Sequence, residues 1–253
     1  MSPESWRAAL EILLGGFGFV LVSALIFWPL EELFEGGPAT RPKLADIAQL
    51  WFYQSFGLWL GAGVVLECAY LIRQQIPSQW LNFVHTIPFW IQAVVALVLA
   101  EVWVYVFHRL SHQWEFLWRF HRVHHTVEEM SWSASSRHHP VDFLLIIVGA
   151  NLPAMVLGID LRSIALFLVL ERMYTVFLHS NIRCDWGWFS RVIASPSLHR
   201  VHHTRAGGRN NYAGILSLLD TVGRTYAAPK APDRGREAEL GADPSPMPVP
   251  RHP

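Results

Sequence analysis

Five apolar runs divide the chain, and their lengths predict its architecture. The first extends from about Ala8 to Leu30, broken only by Glu11, and at about 1.5 Å per residue it can cross a hydrocarbon core of about 30 Å as a helix. It begins with a lone Arg7 and shows no clear small-residue cleavage site, so it reads as a retained span rather than a leader. Glu31 to Lys43, with Gly36, Gly37, Pro38 and Pro42, reads as a polar turn that cannot continue the helix. A second span is predicted from about Ile47 to Ile72, and a third from about Phe83 to Phe107 that delivers the chain into His108. The last two runs, Val141 to Gly158 and Leu161 to Leu178, are near the lower length limit for spanning. Their short connection predicts an antiparallel helical hairpin that crosses or dips into the bilayer and returns His139 and His179 to one side. From Ala227 onward the Pro-rich tail lacks apolar content and is predicted to be disordered.

Composition agrees with this pattern. The 253 residues are 52% hydrophobic and only 16% charged, with twelve Trp and a mean hydropathy of +0.25, which places the chain among membrane proteins. The formal net charge is zero, so no global basic field points to nucleic acid. Cys68 and Cys184 imply no disulfide framework and read as two unpaired thiols. Arg109, Arg119, Arg122, Arg137, Arg183, Arg191, Arg200, Arg205, Arg209 and Arg224 all lie in the histidine-bearing segments, whereas the loop after the second span offers only Arg73. The positive-inside bias therefore predicts that the histidine side faces the cytoplasm. The fold expected is an all-α polytopic membrane bundle with a cytosolic helical cap that carries the histidines.

Those histidines are the candidate chemistry. Thirteen are present, and five fall in His108 to His125, reading HRLSHQWEFLWRFHRVHH, with HRVHH repeated at His199 to His203. On helices, His108 and His112 (i, i+4) share a face, as do His121, His124 and His125, and His199, His202 and His203 (i, i+3, i+4). Eight imidazoles exceed the roughly four to six ligands of one first-row metal ion, so two metals are the simpler reading. Neutral imidazole suits iron, zinc, copper and nickel.

The series HRLSH, HRVHH, SRHHPVD, LHSNI, HRVHH and NNYAGILSLLDTVGRTY resembles the fatty acid hydroxylase and sterol desaturase superfamily of integral membrane di-iron enzymes. The resemblance covers about Glu101 to Tyr226, and it divides the chain into membrane helices over 1–100, a catalytic-type domain over 101–226 containing the hairpin 141–178, and the tail 227–253. It implies two iron ions, with zinc an alternative on isolation, and molecular oxygen acting on a sterol, fatty acyl, sphingoid or related lipid by hydroxylation or desaturation. It implies His108, His112, His121, His124, His125, His199, His202 and His203 as ligands and adds His179, which stands alone in the sequence but completes the family's set. Some members carry a further histidine near His179, where this chain has Thr175 and Arg183.

Glu101 lies seven residues before His108 on the same predicted face. A carboxylate in a membrane helix is costly and usually functional, so Glu101 is assigned to hold a ligand imidazole from behind, as Asp220 in the closing segment could also do. His138 and His139, before Pro140, stay outside the ligand set. Glu171 has Arg172 and Arg162 as candidate partners. No Gly-x-Gly-x-x-Gly fingerprint or cysteine cluster is present, so electrons are expected from a separate protein of the cytochrome b5 or ferredoxin/reductase kind. The competing class is a membrane zinc-binding or metal-transport protein. A hydrolytic zinc enzyme is disfavoured because His-Glu-x-x-His is absent.

Overall fold

The structure, a computed structural model, describes residues 3–34, 41–204, 209–229 and 240. Residues 35–40 of the predicted Glu31–Lys43 turn and the tail beyond 229, Leu240 excepted, lie outside the described residues. No strand occurs among the described residues, only an isolated bridge between Thr204 and Leu240. The protein is an all-α membrane protein. Among the described residues, four stretches are long and apolar enough to cross a bilayer: Leu10–Leu33, Leu44–Arg73, Phe89–Gln113 and Pro140–Leu157.

The first helix, α1 (Pro3–Leu33), extends past the predicted end at Leu30 and keeps Glu31 and Glu32 helical. The second span is α2 (Leu44–Phe52) joined to α3 (Leu58–Arg73) through a π-turn at Tyr53–Gly57. The third departs from expectation at both ends. Pro88 separates a short α4 (Ser78–Thr86) from α5 (Phe89–Gln113), and α5 runs past the predicted span end at Phe107 through His108 and His112, as the helical spacing of that pair has it. Proline cannot donate its backbone nitrogen and disfavours helix in the residue before it, so it starts a helix here rather than continuing one.

The fourth long helix, α7 (Pro140–Leu157), begins on Pro140 and closes at Gly158, whose φ of 88° caps the helix in the left-handed region. Asp160 then caps α8 (Leu161–His179) by accepting from the Arg162 amide. The outer ends of this α7–α8 pair both lie among the histidines, as the hairpin reading requires. The two helices, however, pack against α5 more than against each other. Their interface with α5 is close: a side chain at Gly149 would collide with the Trp103 indole, whose Nε1 donates to the Leu145 carbonyl. With Arg162, Glu171 and Arg172, α8 is not apolar enough to join the four spans, and Glu171 pairs with Arg172.

The cap is built from short pieces: α6 (Glu115–His121), 3-10 turns at His124–Thr126, Trp132–Ser136 and Gly187–Arg191, α9 (Pro196–His203) and α10 (Leu218–Val222). The predicted helical face for His121, His124 and His125 is thus corrected, because α6 ends at His121 and the other two sit in a separate 3-10 turn. The second HRVHH is helical as expected, within an α9 that starts on Pro196 and is capped by the Ser195 hydroxyl.

Candidate metal centre

The chain brings all nine histidines singled out above into two adjacent buried groups. One contains His108 and His112 from α5, His121 at the end of α6, His125 from the following turn, and His202 from α9. The other contains His124, His179, His199 and His203. In each group one ring nitrogen per residue lies within 4.8 Å of all the others. The sequence clusters do not map onto groups. His124 and His125 diverge, and α9 sends His202 to one group and His199 and His203 to the other. Ring centroids of His125 and His203 stand 4.9 Å apart, so the groups share a wall.

The spacing suits metal ions. Facing Nε2 atoms lie 3.1 Å apart for His125 and His202, 3.2 Å for His179 and His199, 3.2 Å for His199 and His203, and 3.4 Å for His124 and His179. Two nitrogens bound to one ion at about 2.1 Å stand about 3.0 Å apart at a right angle and about 3.4 Å apart at a tetrahedral angle. The Nε2 atoms of His108 and His121 and both nitrogens of His112 are buried without a partner, which a folded protein tolerates poorly unless something binds there.

Behind the rings, several Nδ1 atoms are held from outside. His108 Nδ1 donates to the Tyr212 carbonyl at 2.7 Å, His202 Nδ1 to the Asn210 carbonyl at 2.7 Å, and His179 Nδ1 to the Thr175 carbonyl at 2.8 Å. These bonds keep the proton on Nδ1 and turn the Nε2 lone pair inward, as metal sites require. Burial and neighbouring imidazoles hold His124, His125, His199 and His203 well below the usual histidine range, and burial pushes His202 down to about 3. These five rings are therefore neutral bases near pH 7, ready to ligate.

The carboxylates behave differently from expectation. Neither Glu101 nor Asp220 holds a ring. Glu101 Oε2 accepts from the Leu216 amide at 2.8 Å, and Asp220 accepts from the amides of Tyr212 and Ala213 and the Thr225 hydroxyl. Both act on the loop that presents the Tyr212 carbonyl to His108. The reason is local: backbone N–H groups of an irregular buried loop need acceptors, and these two side chains are in reach.

The carboxylate on the rings is Asp142, in the first turn of α7. Its Oδ1 and Oδ2 lie 3.2 and 3.3 Å from His121 Nδ1, and Oδ2 lies 2.9 Å from His138 Nδ1. His138 stacks on His124 with centroids 4.5 Å apart but lies outside both groups. His139 caps α7 through the Val141 amide. The i, i+4 spacing of His138 and Asp142 was the available sequence signal; that Asp142 also meets His121, from another element, was not visible. Asp142→Ala should weaken metal retention by about 10- to 100-fold, while Asp142→Asn, which keeps an acceptor oxygen, should lose less. Chelator competition followed by metal analysis would measure both.

Two membrane helices brace the cap from below. Glu31 of α1, 6% exposed, accepts at one oxygen from the amides of Trp132 and Asn181, at 2.7 and 2.8 Å. From α2, Asp46 forms a bidentate pair with Arg137 and Gln49 donates to the His138 carbonyl, as does the Tyr53 hydroxyl at the start of the π-turn. None of these braces was anticipated, because in sequence they are ordinary polar positions at span ends.

Fold and site together define an all-α integral membrane protein with two adjoining all-histidine pockets able to hold metal ions at the ends of its spans. The chain belongs to the fatty acid hydroxylase family, whose sequence model matches residues 93–225, just over half of it. It is 32% identical over 158 residues to the ornithine lipid hydroxylase OlsE of Rhizobium tropici, covering 62% of this chain and 46% of that one. It is 27% identical over 145 residues to human alkylglycerol monooxygenase, covering 55% and 31%. With sphinganine C4-monooxygenase 1 of Arabidopsis thaliana, identity is 29% over 154 residues, covering 58% and 59%. The chain thus matches less than half the length of the first two relatives. No solved structure matches it.

Proposed function

We propose that this protein oxidises C–H bonds of a membrane lipid with molecular oxygen, using two iron ions held by His108, His112, His121, His125 and His202 on one side and His124, His179, His199 and His203 on the other. The observation that carries this reading is the convergence of nine buried imidazoles into two touching groups beside membrane helices. A group of five nitrogens exceeds the four ligands of a structural zinc site, which favours iron over the zinc-binding or transport alternative. Bound iron would supply oxygen reduction and an oxidant strong enough to attack an unactivated C–H bond.

The chain's own residues orient that chemistry. Tyr212, Asn210, Thr175 and Asp142 fix ring tautomers, and burial excludes bulk water from the imidazoles. Relatives named as hydroxylases and monooxygenases favour hydroxylation over desaturation. The arginines of the histidine-bearing segments favour a cytoplasmic orientation of that face through the positive-inside bias, at the inner membrane of a bacterium or the endoplasmic reticulum of a eukaryote. There, a soluble or membrane-tethered electron donor can reach it.

The test is incubation of iron-loaded membranes with reductant and lipid extract, with and without air. A product heavier by one oxygen, formed only in air, is expected. Equal products from wild type and a His124→Ala variant, or a protein that binds zinc alone and oxidises nothing, would refute the proposal.

A further inference from the structure

Helix α5 gauges depth in the bilayer. Val94, Val98, Val102, Val106 and Leu110 recur at every fourth position and are all exposed, forming the stripe that a spanning helix turns toward lipid. At about 1.5 Å per residue, Glu101 lies about 10 Å nearer the membrane centre than His108. Irregular backbone reaches that level from outside the helix. The Leu216 amide donates to Glu101, the Tyr105 and Thr225 hydroxyls meet at 3.1 Å, and Arg109 donates to the Gly223 carbonyl. A neighbouring stretch follows it, with the Ala194 amide bonded to the Ile215 carbonyl and the Leu218 amide to the Val192 carbonyl.

Non-helical backbone survives at hydrocarbon depth only when its polar groups are satisfied inside the protein. Here Asp220 takes the amides of Tyr212 and Ala213, Glu101 takes that of Leu216, and the Ser217 hydroxyl donates to the Ser190 carbonyl. The exposed side chains within the segment are apolar, with exposed Arg191 and Arg224 at its margins. Leu218 is 46% exposed and Val222 75% exposed, with Trp188 and Phe189 exposed close by, next to Ser190. A water-facing loop would need neither the internal carboxylates nor this apolar exterior.

We propose that residues 212–222 dip into the hydrocarbon of the leaflet on the histidine side, with Leu218 and Val222 against lipid acyl chains. The segment is tied to α5 at Glu101 and Tyr105, below the level of the imidazoles, which makes acyl chains its partner rather than another protein. Glu101 and Asp220 thereby gain a further role: they supply the internal acceptors that let the segment leave water. The inference rests on α5 as a membrane span and is independent of the oxidation chemistry.

Nitroxide labels on the full chain in liposomes test it. Cys68→Ala/Cys184→Ser would carry single cysteines at Leu218 or Val222, with Val98→Cys as the lipid-exposed reference and Glu128→Cys as the aqueous one. Collision with oxygen and with a water-soluble nickel chelate reports depth. Labels at 218 and 222 should show an oxygen-to-nickel ratio several-fold above that at Glu128 and somewhat below that at Val98, which lies about 5 Å deeper than Glu101. Nickel accessibility like that at Glu128 would overturn the proposal. So would shielding from both reagents, which would put protein over the patch. Retained metal content and an unchanged circular dichroism spectrum establish that each labelled chain is folded, and a failed label at one site leaves the other to decide.

Discussion

Alanine at His202 or at His199 should reduce lipid oxidation to the level of membranes lacking the protein, even though each change touches only one of the two histidine groups. The residues are neighbours on α9, yet His202 faces His125 at 3.1 Å in the first group and His199 faces His179 and His203 at 3.2 Å in the second. Removing His199 leaves three imidazoles in its group, while removing His202 leaves four in the other. On the proposed two-metal reading, His199→Ala should therefore shed the metal of its group outright, and His202→Ala should hold its metal more loosely. Metal per chain, measured beside product formation, separates these outcomes. A variant that kept the wild-type rate with one metal missing would show that the second group is dispensable for the chemistry.

Glu31→Ala should be the most destabilising change outside the histidines. One oxygen of Glu31 serves two backbone amides, Trp132 and Asn181, which lie 101 and 150 residues away along the chain. A buried donor left without its acceptor costs about 1–3 kcal/mol, so losing both predicts a loss of about 2–6 kcal/mol and a clear drop in unfolding temperature. The damage should fall first on the second histidine group, because Asn181 follows His179 closely and also accepts from Arg200 of α9 at 2.7 Å. Glu31→Gln retains a carbonyl oxygen for the same amides and should recover most of the stability and metal. Thermal unfolding of the purified variants in lipid nanodiscs would check this. An Ala variant as stable as wild type would mean that solvent replaces the lost bonds.

These expectations show where sequence reading succeeds and where it ends. Spans two and four were legible because a long apolar run can bury its backbone only as a helix. The third was misplaced at both ends, since Pro88 set its start and the helix carried on through two polar imidazoles to Gln113. The histidines stood out because they are polar, clustered and set at helical spacing in an apolar chain. Glu31 did not, although it neighbours Glu32: the first is buried on two amides, and the second accepts from Trp28 on the exposed side. Burial alone distinguishes them, and burial depends on segments 101 and 150 residues distant.

By itself, then, the sequence determined an all-α membrane bundle and eight of the imidazoles that meet beside it, because helical periodicity and apolar length are local properties of the chain, while the ninth, His179, came from the family resemblance. Only the tertiary structure decided how those imidazoles divide into five and four, that Asp142 rather than Glu101 or Asp220 holds the rings, and that α1 and α2 brace the cap. Each of these depends on the direction in which a side chain leaves its own element and on what a distant element places opposite it, and no spacing along the chain encodes either.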